Sequence, residues 1–257
     1  MRLQSQVPVK VRDKLLGGPV PLICLPLVAT DQAALLQQAA EVTRHAPDMI
    51  EWRVDKFARL ETPALMLTAL AALREAIGET PLIFTCRVAS EGGFRELAAD
   101  TRLELNLAAM ASGQIDLLDT EMVNGPAFID QHKAACGRTG VKLILSYHNF
   151  QATPEGAFLV AKLREARQLG ADIAKIAVMP ASYGDVLTLL SATYQARRAM
   201  PDTPLITMAM GAEGAITRVA GGLFGADLTF AIGQASSAPG QIPIGDLRAA
   251  WQALKLY

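Results

Sequence analysis

The chain has 257 residues, of which 51% are hydrophobic and only 5% aromatic, with a formal net charge of −1. That balance excludes the basic excess that a nucleic-acid partner demands, and no run approaches the about 20 apolar residues of a membrane span. The three cysteines, Cys24, Cys86 and Cys136, fall at unrelated spacings, which offers neither a CxxC metal pattern nor a disulfide framework.

The opening MRLQSQVPVKVRDKLLGG lacks the apolar core of a secretory signal, and with unpaired cysteines a reducing, cytoplasmic setting is expected. Residues 1–20 are expected to form an N-terminal extension, a short hairpin closing one end of the fold. Strand-like runs then recur about every 30 residues, the length of one strand–helix unit. They are PLICLPL (21–27), DMIEWRVD (48–55), PLIFTCR (81–87), IDLLDTE (115–121), KLILSYH (142–148), IAKIAVM (173–179), PLITMAM (204–210) and LTFAIG (228–233). Helical segments lie between them. Asp31 is the expected N-cap of the first helix, and Thr62 before Pro63 starts another. Thr153 before Pro154 repeats that signal for a helix ending at Gly170, and residues 182–200 supply one more.

Strands alternating with helices indicate an α/β fold. A doubly wound open sheet and a closed barrel both fit. The regular repeat, and the lack of GxGxxG after the first strand, favour a (β/α)8 TIM barrel, a fold of about 250 residues, with the N-terminal hairpin across its bottom. No linker or charge block divides the chain, so residues 1–257 are expected to form one domain.

Barrel interiors are packed with branched apolar side chains, and residues two apart on a strand share a face. Several strands here instead carry ionisable residues on one parity near their C-terminal ends: Glu51 and Arg53, Arg87, Asp119 and Glu121, His148, and Lys175. Any one strand-end charge is more simply a surface group or half of an ion pair, and Met208 and Met210 are most simply core filler. Lys175 is different, because its neighbours IAKIAVM are apolar on both faces, and a buried amine is costly unless neutral or paired. Arg53, Arg87 and Arg218 would place positive charge near Lys175 and favour the neutral, nucleophilic amine. His148 could move protons, and Glu91, in the loop after the third run, could orient it. A metal is not expected: His45, His132 and His148 fall in different contexts, with no HExxH. The glycine-rich GAEGAITRVAGGLFG after the seventh run suits a phosphate site or, more simply, tight turns and close helix contacts. QASSAPGQIP after the eighth suits a lid or an ordinary connection.

Taken in order, EWRVD (51–55), CRVASEGG (86–93), SYHNF (146–150), AKIAVMP (174–180), ITMAMG (206–211), ITRVAG (216–221) and SAPGQ (237–241) resemble the type I 3-dehydroquinate dehydratases from about residue 20 to the C-terminus. The resemblance implies a cofactor-free hydro-lyase of the shikimate pathway, commonly a homodimer. It would convert 3-dehydroquinate to 3-dehydroshikimate by syn elimination of water through a lysine imine. It implies Lys175 as the imine-forming residue, His148 as acid–base catalyst and Glu91 as its support. Arg218 would pair with the substrate carboxylate, helped by Gln241 and Ser237 from the lid. Glu51, Arg53 and Arg87 would hold ring hydroxyls and local charge, and Met208 and Phe230 would line the pocket. Pro26 departs from the family's frequent serine. Two alternatives stay open: another Schiff-base aldolase-type barrel, and a silent metabolite-binding barrel.

Overall fold

Each of the eight apolar runs becomes a parallel strand, and most of these strands are buried on both faces. That is the condition of a sheet covered by helices outside and side chains inside. The computed structural model describes residues 2–233 and 237–256. A two-stranded hairpin comes first, β1 (Val9–Val11) and β2 (Lys14–Leu16). The barrel strands are β3 (Leu22–Leu27), β4 (Met49–Arg53), β5 (Leu82–Thr85), β6 (Leu117–Glu121), β7 (Lys142–Asn149), β8 (Ile173–Val178), β9 (Leu205–Ala209) and β10 (Leu228–Phe230). The helices are α1 (Gln32–Thr43), α2 (Pro63–Ile77), α3 (Ala99–Ala111), α4 (Pro126–Thr139), α5 (Gly156–Gln168), α6 (Tyr183–Ala199), α7 (Ala215–Phe224) and α8 (Ile244–Ala253). The strand order is β10-β3-β4-β5-β6-β7-β8-β9. The remaining seam, between β9 and β10, is drawn together at its foot by the Asp227 N–H donating to the Leu205 carbonyl at 2.7 Å.

One device repeats four times around the foot of the barrel. Asp48, Asp116, Asp172 and Asp227 immediately precede β4, β6, β8 and β10. Each carboxylate accepts from the first or second backbone N–H of the strand before it: Ile23 at 2.9 Å, Leu82 at 2.9 Å, Leu143 at 2.8 Å and Leu205 at 2.7 Å. These clasps satisfy backbone donors where the strands begin and fix the strands in pairs.

Inside, an apolar floor contains Leu22, Cys24, Met49, Ile83, Leu117, Ile144, Ile173, Ile206 and Leu228. Val11 and Leu16 of the hairpin belong to the same cluster, so the extension plugs the barrel bottom as expected. Outside, Leu25, Trp52, Phe84, Leu145 and Ile176 pack against the helices. The strand alternation therefore leaves inward positions above the floor that are mostly polar on β4 to β8, with the apolar Met208 and Phe230 of β9 and β10 beside them.

Several boundaries differ from the sequence reading: β4 stops at Arg53 rather than Asp55, β5 stops at Thr85 so that Arg87 lies two residues beyond it, and β6 starts at Leu117. The α5 helix begins at Gly156 with Glu155 as N-cap, not at Thr153. The Thr153 hydroxyl instead donates to the Met179 carbonyl at 3.0 Å, tying the loop to the top of β8. The β10 strand stops at Phe230, and Ile232 makes only an isolated bridge to Pro243. Asp31 does cap α1, accepting from Ala34 N at 2.9 Å. Among the described residues no helix is long and apolar enough to cross a membrane.

Candidate active site

Register brings the polar rows together. Ser146 on β7 is the partner of Lys175 on β8, and His148 is the partner of Ala177, so His148 stands one inward step above the lysine. Lys175 is 4% exposed. Its Nζ donates to Asp119 Oδ2 at 2.5 Å, lies 3.8 Å from Glu51 Oε1 and sits 4.6 Å from the centre of the Phe230 ring. From sequence, arginines are expected around this amine. The structure places carboxylates there, and Arg53 and Arg87 are themselves paired.

Arg87 is the hub of that pairing. It holds Asp119 with two bonds, at 3.0 and 3.1 Å, and reaches Glu121 Oε1 at 2.6 Å and Ser146 Oγ at 2.8 Å. Ser146 in turn donates to Asp119 at 2.7 Å. Burial alone would push the Asp119 carboxyl up, but Arg87 and Lys175 outweigh it and hold the group well below the usual carboxylate range. Glu51 accepts from Thr85 Oγ1 at 2.9 Å. Arg53 is engaged by Asp55 through two bonds, at 2.9 and 2.8 Å.

Glu91 Oε2 accepts from the His148 backbone N–H at 2.8 Å and lies 3.2 Å from His148 Nδ1. With Nδ1–H directed to Glu91, Nε2 is left as the basic nitrogen. Burial, with the charges of Arg87 and Lys175 adding to it, holds His148 well below the ordinary histidine range. Burial raises Glu91 to about 7, with Glu121 adding to the effect and Arg87 opposing it. Near neutral pH the imidazole is therefore uncharged and able to take a proton.

A cavity of about 430 Å³, counted with its open mouth, collects these groups. Its lining includes Lys175, His148, Glu91, Glu51, Arg53, Arg87, Met208, Phe230, Ser237 and Gln241. Of the site residues singled out from sequence, Arg218 alone is absent from it. Arg218 is 1% exposed, beneath the 237–241 segment, and donates to the carbonyls of Gly240, Pro239 and Phe230 at 2.8, 3.2 and 3.2 Å. Among the described residues no carboxylate pairs with it, and burial lowers it to about 10. Ser237 N donates to Gln241 Oε1 at 3.0 Å, and Gln241 Nε2 donates to Ser237 Oγ at 3.2 Å. Residues 235 and 236 of the expected lid lie outside the described residues. Pro26, partner of Glu51 in register, is buried and does not line the cavity.

Sequence reasoning leaves Asp119, Ser146 and Phe150 without roles, although Asp119 shares the inward parity that marks its neighbours. The glycines after β9 serve close packing: a Cβ on Gly214 would stand 2.3 Å from the carbonyl oxygens of Ala209 and Met210. Among the described residues no three His, Cys, Asp or Glu side chains gather to hold a metal.

Residues 23–257 match the family described as Type I 3-dehydroquinase. The chain is 44% identical over 254 residues to a 3-dehydroquinate dehydratase of Geobacillus thermodenitrificans, covering 98% of each. It superposes on the crystal structure of 3-dehydroquinate dehydratase from Geobacillus kaustophilus with a TM-score of 0.97 at 45% identity, covering 100% of this chain and 99% of that one. Against the type I enzyme of Clostridium difficile, solved with covalently modified comenic acid, the TM-score is 0.92 at 37% identity, covering 96% and 97%.

Proposed function

This chain belongs to the type I 3-dehydroquinase family, and from that premise we propose how its own residues carry out the reaction. The activity is the dehydration of 3-dehydroquinate to 3-dehydroshikimate in the shikimate pathway. One observation carries the assignment of roles: the buried Lys175 amine touches Asp119 in the same cavity onto which the His148–Glu91 pair opens.

Lys175 sheds a proton and its lone pair attacks the C3 ketone, the ketone oxygen gaining two protons as the nitrogen loses two. The Asp119 carboxylate, kept ionised by Arg87, holds the amine in place. Water leaves and a protonated imine remains, which draws electrons from C2. His148 Nε2 takes a C2 proton, and the electron pair of that C–H bond becomes the enamine. The enamine then expels the C1 hydroxyl, which leaves as water with the proton returned by His148. One base serving both events fits a syn elimination. Water hydrolyses the remaining imine, releasing product and the free amine.

Glu91 holds the Nδ1–H tautomer of His148. Glu51, Arg53 and Arg87 line the part of the cavity suited to ring hydroxyls, with Met208 and Phe230 as apolar walls. Arg218, a buried cation without a carboxylate among the described residues, is matched to the substrate carboxylate, with Ser237 and Gln241 beside it. The whole chain acts as one domain in this reading, in a cytoplasmic setting consistent with three free thiols. A homodimer is supported by Tyr183, Leu187 and Tyr194, which are exposed along one face of α6. Light scattering that returned only monomer at tens of micromolar would remove that part.

The test of the chemistry combines ultraviolet detection of the conjugated enone with borohydride trapping. Substrate plus borohydride should leave an adduct on the peptide containing Lys175, and Lys175→Ala should lose both trapping and turnover. His148→Ala should lose at least about 10²-fold in kcat, the usual scale of a general acid–base group, and still trap the imine. An adduct on Lys142 or Lys162 would overturn the Lys175 assignment, and a folded His148→Ala near the wild-type rate would overturn that of His148.

A further inference from the structure

The EWRVD motif ends in a residue that the mechanism leaves unused. Asp55 is 0% exposed and stands just beyond β4. Its carboxylate accepts three bonds: Arg53 Nε at 2.9 Å, Arg53 Nη2 at 2.8 Å and the Phe94 backbone N–H at 2.9 Å. Its carbonyl accepts from Arg95 Nε at 3.0 Å. Arg53 Nη2 also donates to the Gly92 carbonyl at 3.0 Å. The end of β4 thus grips the loop after β5 at residues 92, 94 and 95, immediately beyond Glu91.

That loop has little room to move otherwise. Gly92 adopts φ +88°, and a Cβ there would stand 2.3 Å from the Phe150 ring. A Cβ on Gly93 would stand 2.3 Å from the Arg87 carbonyl oxygen. The exposed face of the clamp is closed by cations over Phe94, with Arg53 Cζ 4.9 Å and Lys56 Nζ 4.7 Å from its ring centre. A carboxylate with three donors, two of them from one guanidinium, is a rigid support. It holds the short stretch from which Glu91 reaches His148.

We propose that Asp55 is a positioning residue that, through Arg53 and the backbone at 92–94, sets Glu91 against His148. This rests on the reading of His148 and Glu91 as the acid–base pair. Arg53 then has a second duty besides lining the cavity. Its bidentate partner is Asp55, and the same guanidinium carries the link to Gly92.

The test is a double-mutant cycle in the full chain with Asp55→Asn, Glu91→Gln and both together, and His148→Ala as reference. The asparagine side chain is near-isosteric and keeps one acceptor oxygen, but it lacks the charge and the paired grip on Arg53. Asp55→Asn should lower kcat about 10- to 100-fold, the usual cost of removing an outer-shell support. KM should change less than about 3-fold, and borohydride should still trap the imine, because Lys175 is untouched. If Asp55 acts through Glu91, the double variant should be no worse than Glu91→Gln alone to within about 3-fold. Losses that multiply, loss of trapping, or a raised KM with kcat unchanged would each overturn the assignment. Should Asp55→Asn fail to fold, Phe94→Ala replaces it in the cycle, since Phe94 is 42% exposed and its ring holds the Arg53 guanidinium; the expected loss is then about 2- to 5-fold, the scale of an exposed cation–π contact, with the same non-additivity, and multiplying losses again overturn it. A His148→Ala variant with the wild-type kcat would sink the acid–base reading itself, whereas multiplying losses beside a crippled His148→Ala sink only the role of Asp55.

Discussion

Asp119 Oδ2 is shared between Lys175 Nζ at 2.5 Å and Arg87 Nη2 at 3.0 Å. One carboxylate thus faces both the reacting amine and the guanidinium that keeps the carboxylate ionised, so it is fixed as the charge partner that holds Lys175 Nζ in place. Asp119→Asn keeps the shape and removes the charge that pairs with Lys175 Nζ and orients it. It should slow imine formation, so that borohydride inactivation and kcat fall together by about 10²-fold. A variant that forms the imine at the wild-type rate and stalls only in elimination would show that Asp119 does not serve Lys175.

The same cluster sets the state of His148. Burial first, then Arg87 and Lys175, hold its imidazole well below the ordinary range, against the pull of Asp119. Nitrogen-resolved NMR of the free enzyme should therefore show a neutral ring at pH 6, and at pH 8, above the value of about 7 to which burial raises Glu91, a ring protonated at Nδ1, the nitrogen 3.2 Å from that carboxylate. The kcat/KM profile should carry no histidine step near 6.5; a fall as pH drops through about 7 belongs to Glu91, which burial raises to that value. An imidazolium signal from His148 at pH 6 would contradict both expectations.

Much of this site is legible in the strands alone. Strand parity fixes which side chains face inward, so Glu51, Arg53, Arg87, His148 and Lys175 can be grouped from sequence, and the cavity does gather them. Parity also marks Asp119, but not its partner: which charges pair across the barrel depends on register between β5, β6 and β8, and a single strand carries no information on register. The start of α5 lies beyond the Thr–Pro pair because that signal of a helix cap is also that of an ordered loop, and the Met179 carbonyl claims the hydroxyl. The four foot-of-barrel aspartates are visible in the sequence, Asp48 and Asp116 at the head of their runs and Asp172 and Asp227 directly before theirs, yet their meaning lies in the neighbouring strand.

Those aspartates give a prediction about stability alone. Asp172→Ala deprives the Leu143 N–H of its 2.8 Å acceptor at a place far down the strands from the cavity. The loss should be about 1–3 kcal/mol, the cost of an unsatisfied partner of a charged group, or a fall in Tm of about 2–12 °C for a chain of this size. Both kcat and KM, measured well below the transition, should match the wild type. A changed KM with an unchanged Tm would mean that the clasp transmits to the site rather than holding the foot.

His132 on α4 couples stability to pH. It is 0% exposed, bonded to the Phe128 carbonyl at 2.9 Å and to Asn106 Nδ2 at 3.1 Å, and burial lowers it to about 4. Between the ordinary value of about 6.5 and 4, the unfolded chain takes up a proton that the folded chain refuses. The contribution is intact above about 6.5, shrinks as pH falls and is fully lost near 4, amounting to roughly 3 kcal/mol. Urea unfolding at pH 7.5 and pH 4.5, compared between the wild type and His132→Leu, isolates it. The wild type should lose more stability on acidification than the variant, and parallel losses would assign the acid sensitivity to other groups.

Arg218 fastens the 237–241 segment, and in the proposed reading it also takes the substrate carboxylate. Its guanidinium is buried, has no carboxylate partner among the described residues, and holds the Pro239 and Gly240 carbonyls at 3.2 and 2.8 Å. Gly240 also packs so closely that a Cβ there would stand 2.0 Å from the Gly211 carbonyl oxygen, so the segment has one seat, and Arg218 fastens it. Arg218→Met should act twice. Hydrogen exchange at residues 237–241 should rise without ligand, because two carbonyl contacts are gone. KM should rise about 10- to 100-fold with a smaller change in kcat, since a charge-assisted bond to a carboxylate contributes about 1.5–3 kcal/mol. Faster exchange with an unaltered KM would leave Arg218 as a fastener for the covering segment and transfer the substrate carboxylate to Ser237 and Gln241.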